Sequence, residues 1–129
     1  MITISSAHNN ARLEATRDFM VTGTARPKVR LYGGTRPVTG AAPGTPLLCE
    51  IELNPASAVV SNGTLTIAQF DSGLILSTGS PTWARIVNGS GTHVLDCDAG
   101  GPGSTTEIIV TAATLYEGGR VLLASAVFG

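Results

Sequence analysis

Apolar and polar positions repeat first with a helical period and then with a period of two. From Ser6 to Met20 no Gly or Pro intervenes, and Leu13, Thr16, Arg17 and Met20 fall at helical spacing, so one helix is expected over 6–20. Its apolar stripe (Leu13, Ala15, Phe19, Met20) is thin, so the helix would be marginal alone. It is expected to lie across the rest of the fold or to pack on a neighbouring subunit. Asn9 or Asn10 would cap its start and Gly23 its end.

After the helix the pattern is that of strands. Val29-Arg30-Leu31-Tyr32 alternates until Gly33-Gly34. Between Leu47 and Leu53 the alternation is clearest: Leu47, Cys49, Ile51 and Leu53 share one side and Glu50 and Glu52 the other. One face of that sheet therefore meets a core, and the other meets solvent or an interface. Shorter runs follow at Gly63–Ile67, Leu74–Leu76, Glu107–Thr111 and Val121–Val127. Thr82–Val87 and the run to Asp98 that begins at His93 flank Asn88-Gly89-Ser90-Gly91, a hairpin turn sequence. Trp83, the only tryptophan, is expected as a core or inter-sheet anchor rather than a ligand platform. The last run is apolar on both faces and is expected as a central strand, with burial by a partner chain as the alternative.

Seven to eight strands divided by turn residues predict a mainly β fold, a two-sheet antiparallel sandwich or jelly-roll-like barrel with one N-terminal helix. Residues 1–129 are expected to form a single domain. Two long loops are expected, the Pro-rich, nearly chargeless 34–46 and the Gly-rich 98–106. Arg36 is the sole charge of the first and would anchor it.

Charged residues make up 13% of the chain, against about 25% in ordinary globular domains. Either part of the surface is covered by a partner, or the chain is a small uncharged β-protein. A net charge of −1 argues against a nucleic-acid partner. No apolar run approaches a membrane span. Met1-Ile2-Thr3-Ile4 lacks the basic and apolar regions of a signal peptide, so folding in a cytoplasm is expected. Cys49 and Cys97 read as buried thiols, a disulfide remaining open.

Candidate chemistry is sparse. His8 and His93 have no nucleophile at a recognisable spacing, and no phosphate-binding or hydrolase motif occurs. Gly100-Gly101-Pro102-Gly103 precedes a strand and is a poor phosphate cradle. Asp96 and Asp98 share a strand face; with Asp71 or Glu107 they would hold Ca²⁺, and otherwise they simply face solvent. No enzyme activity, cofactor or small-molecule substrate is expected.

The helix around Asn10-Ala11-Arg12, the segment Val29-Arg30-Leu31-Tyr32-Gly33-Gly34-Thr35-Arg36-Pro37 and the segment Thr82–Gly91 occur in that order. Together they resemble small virion structural proteins of tailed bacteriophages and prophages, over most of the chain. The resemblance implies a non-catalytic virion part, assembled in the bacterial host cytoplasm. Its first expectation is a capsid decoration (cement) protein that binds the major capsid protein and copies of itself. The candidate contacts are Arg12 and Arg17 on the helix and Arg36, Pro37, Pro43 and Pro46 on the long loop. A neck, tail or fibre protein is the alternative. A carbohydrate-binding module built on Trp83, Tyr32 or Tyr116 with Asp96 and Asp98 is the alternative from another class.

Overall fold

The computed structural model describes residues 2–129. Helix α1 spans Ser6–Met20. Its N-cap is Ser5, whose hydroxyl accepts the His8 N–H at 3.1 Å, and the chain leaves the helix at Val21. Asn9 and Asn10, expected as caps, lie inside the helix and serve another purpose. Asn10 Oδ1 accepts the Gly63 N–H at 2.8 Å, and Asn9 Nδ2 donates to the Gly63 carbonyl at 3.4 Å. Leu13 and Met20 bury the inner side of α1, while Phe19 and Ala15, expected on the apolar stripe, stay exposed.

The strands are β1 (Lys28–Tyr32), β2 (Leu47–Glu52), β3 (Val59–Ser61), β4 (Thr64–Thr66), β5 (Gly73–Ile75), β6 (Trp83–Val87), β7 (His93–Gly100), β8 (Ile108–Val110), β9 (Arg120–Val121) and β10 (Leu123–Phe128). They form one curled sheet in the order β3-β4-β10-β8-β7-β6-β1-β2-β5-β9. The fold is mainly β with one helix, but its ladder is continuous rather than split into two sheets. It is also mixed, because β7 and β8 run parallel. Strand β7 continues to Gly100, which shortens the second long loop expected from Asp98 onwards.

The ladder bends back on itself. Strand β9, its last member, passes through the single residue Leu122 into β10, which lies third from the other end. Gly73 and Leu74 pair with Val121 and Arg120, and Leu65 and Thr66 pair with Phe128 and Val127. Side chains close the seam between β9 and β10. Gln69 Oε1 accepts the Leu123 N–H at 2.5 Å, and Thr111 Oγ1 accepts the Leu122 N–H at 3.2 Å. Strand β10 lies between β4 and β8, a central position as expected.

Inside the curl, Val29, Leu31, Cys49, Ile51, Leu53, Ala84, Ile86, Cys97 and Ala99 meet Ile108, Val110, Leu65, Ala126 and Phe128. Cys49 and Cys97 are free thiols within this core. Edge strand β3 is only three residues long. It turns into β4 through Asn62 (φ +50°) and Gly63 (φ +77°), the left-handed pair that a two-residue hairpin needs.

Candidate interaction face

Alternation along β1, β2, β6 and β7 puts the core residues on one face and the chain's densest set of charges on the other. Pairing register aligns these charges in rows. Glu50, Arg30, Arg85 and Asp96 stand opposite one another across β2, β1, β6 and β7. Arg30 and Arg85 are like charges side by side, and each is drawn to an acid on its far flank. Arg30 Nε donates to Glu50 Oε2 at 2.8 Å. Arg85 donates through Nε and Nη2 to the two Asp96 oxygens at 2.8 and 3.1 Å, a fork-to-fork pair.

The next row holds Tyr32, Trp83 and Asp98. Tyr32 and Trp83 stack with ring centroids 4.5 Å apart and 16° between planes. Both rings are buried, yet neither belongs to the core cluster. Trp83 is thus a buried anchor, as expected, but it packs on the sheet's outer face, outside the main core cluster. Nor does it offer a sugar a free ring, because Tyr32 takes one face and the indole is 1% exposed.

The Pro-rich segment 34–46 lies over this face. Arg85 Nη2 donates to the Ala41 carbonyl at 2.7 Å, and the Gly40 N–H donates to Asp96 Oδ2 at 3.4 Å. Arg36 Nη1 lies 3.4 Å from Asp98 Oδ1. At the segment's root, the Trp83 indole N–H donates to the Gly33 carbonyl at 3.2 Å and the Thr82 hydroxyl to the Gly34 carbonyl at 2.7 Å. The long loop is therefore a strap tied to its own sheet.

Asp96 is the centre of the arrangement. Its side chain is 3% exposed and that of Arg85 11%. His93 Nε2 lies 3.1 Å from Asp96 Oδ1. Burial pushes the Asp96 carboxyl up, but hydrogen bonds from Arg85, the Gly40 N–H and His93 outweigh it and hold the carboxyl below its ordinary range. Asp96 and Asp98 do not act as a pair: one is buried on Arg85, and the other is exposed beside Arg36. No cluster of three or more His, Cys, Asp or Glu side chains suited to a metal ion occurs among the described residues.

The six contact residues expected from the sequence fall in two places. Arg36, Pro37, Pro43 and Pro46 are on the strap, with Pro37 and Pro43 half-buried and Arg36 and Pro46 exposed. Arg12 is exposed on α1, beside a shallow groove bordered by Leu95 and Phe128. Arg17 is half-buried, 3.6 Å from Asp18. No ion pair joins the two sets among the described residues. Arg85, Asp96 and His93 were not singled out as a cluster from the sequence. The usable signal was the hairpin itself, whose register sets Arg85 opposite Asp96.

No helix among the described residues is long and apolar enough to cross a membrane. Comparison of the chain with protein-family models, curated proteins and solved structures finds no match.

Proposed function

We propose that the chain is a non-catalytic structural protein of a tailed-bacteriophage virion, a capsid decoration protein that binds the major capsid lattice together with copies of itself. The observation that carries this reading is the strap. Ion pairs and hydrogen bonds fix its backbone on a rigid sheet while Val38 (80% exposed), Arg36 and Pro46 remain at the surface. A loop ordered before binding loses little further entropy when it docks, and its prolines restrict it again. The acids of the outer face are engaged with arginines that hold the sheet and strap, which suits a docking surface better than acid–base chemistry. Repetition over a lattice would multiply modest contacts of this kind. The resemblance of its three sequence segments to virion proteins supports the same reading.

Cosedimentation of the purified protein with preformed, expanded heads tests it. Saturable binding, weakened by Arg36→Ala, is the expected result. Failure to bind heads would overturn the decoration reading. Binding to isolated tails or necks instead would move the protein to that part of the particle.

A further inference from the structure

The strap is attached differently from the rest of the chain. No residue from 34 to 46 is among the buried apolar side chains, and beyond the Thr82–Gly34 bond at its root its hold on the sheet runs through Gly40, Ala41 and Arg36. It departs from β1 at Gly34 and returns towards β2 at Gly44, both at φ +73°. Segments with few buried apolar contacts open at lower free energy than the fold as a whole. On the same face lie two aromatic rings outside the core cluster, Tyr32 and Trp83, the indole tied by its N–H to Gly33 at the strap's root.

We infer that residues 34–46 open as a unit about Gly34 and Gly44, that the Arg85–Asp96 pair is the latch, and that protonation of Asp96 in acid releases it. The latch is single in its chemistry. Asp96 accepts the Gly40 N–H directly and also fixes the guanidinium whose Nη2 holds the Ala41 carbonyl. Losing that one negative charge weakens both of these bonds together and leaves the exposed Arg36–Asp98 pair as the remaining tie of the strap's middle.

The surroundings determine the sign. Arg85 reaches Asp96 from β6, His93 from its own strand and the Gly40 N–H from the strap. From β1, Arg30 stands beside Arg85 in register, and Tyr32 stacks on Trp83. Asp98, the nearest acid along β7, is paired with Arg36. The groups that reach Asp96 therefore favour its anion, and its carboxyl is held below the ordinary value despite burial. Arg85 and His93 lie on the sheet and stay with Asp96 when the strap lifts, so the strap's own share is the Gly40 N–H, which bonds the anion better than the neutral acid. Closure is favoured while Asp96 is charged, as it is above the ordinary carboxyl value of about 3.9. That contribution is lost as pH falls through the closed-state value. Release therefore belongs to the acid side of about pH 4, and the strap stays shut across the neutral range. The inference concerns the chain alone and holds whatever its partner is.

Trp83, the only tryptophan, reports on the strap directly. Asp96→Asn keeps the side-chain size and removes the charge. At neutral pH this variant is expected to keep its far-UV circular dichroism and at least to double the acrylamide quenching constant of Trp83. Amide exchange at Gly40, whose N–H bonds Asp96, should quicken about tenfold, equivalent to about 1.4 kcal/mol. Wild-type protein should show the same rise in quenching on acidification, before far-UV signal is lost. Wild-type quenching and exchange in Asp96→Asn would overturn the inference. So would a wild-type titration in which Trp83 becomes accessible only together with loss of far-UV signal. That second arm decides the matter if the variant does not fold.

Discussion

Gly73→Ala is expected to destabilise the protein through one identifiable collision. Gly73 is buried in β5, opposite Val121 of β9. A Cβ there would lie 2.5 Å from Cys49 Sγ, 2.7 Å from Ile51 Cγ1 and 2.9 Å from the Glu50 carbonyl oxygen. Comfortable contact is about 3.5–4.0 Å, so each neighbour would have to retreat by roughly 1 Å. Cys49 and Ile51 are both 0% exposed members of the core cluster, and the third obstacle is backbone. Overpacking of this kind costs about 1–3 kcal/mol, and three simultaneous contacts place this case near about 2–3. At roughly 3–5 °C per kcal/mol for a chain of this size, the midpoint of thermal unfolding should fall by about 6–15 °C. Cys49→Ala alone should cost about 1 kcal/mol, because it leaves a small void. Combined with Gly73→Ala, it removes the closest atom, and the new methyl occupies the vacated volume. The double variant should therefore be more stable than Gly73→Ala by about 1 kcal/mol, which against additive losses is a coupling of about 2 kcal/mol, within the range contacting residues show. Thermal and urea unfolding of the four proteins measures the cycle. A shift below about 2 °C for Gly73→Ala, or strictly additive losses, would refute the steric account.

Gln69→Ala should cost about 1–3 kcal/mol in urea unfolding, since it leaves the Leu123 N–H at the seam without its acceptor. Asn10→Ala should cost about 1 kcal/mol and quicken amide exchange at Gly63, whose N–H it releases. Burial pushes the Cys49 thiol up to about 11 and the Cys97 thiol up to about 12, with the Glu107 charge adding to the second. Both should therefore resist a thiol reagent at pH 8 in the native protein and react fully in guanidinium; rapid native labelling of either would contradict their placement.

The sequence pattern was most legible where one face of a strand is buried and the other is charged. Along β2 and just past its end, Cys49, Ile51 and Leu53 turn inward as their spacing predicts and Glu50 and Glu52 outward, but Leu48 rather than the expected Leu47 joins the core, beside a shift in register. It was least legible in β6, where all five residues from Trp83 to Val87 are buried. There the outer face is covered as well, by Tyr32 stacked on Trp83 and by the strap on Arg85, so Trp83 and Ala84 are equally hidden and burial no longer identifies the core side. Strand β3 was missed because three residues give too short a pattern, although Asn62-Gly63 marked its turn. The parallel pairing of β7 with β8 depends on contacts distant in sequence, to which local periodicity is blind. Arg36 was legible as the strap's anchor because it is the only charge there, whereas its acceptor, Asp98, required the sheet.

The bent strand from Arg120 to Phe128 also constrains the order of folding. Ribosomal synthesis delivers β4, β5 and β8 before the strand that must pair with all three and join the two ends of the ladder. Until it arrives, β4, β5 and β8 present unpaired edges and an open interior lined by Leu65, Ile108 and Val110. Such non-local closure is slow, and its unfinished form is prone to aggregation. Chains shortened within 120–128 should therefore accumulate as insoluble protein rather than as a smaller soluble fold.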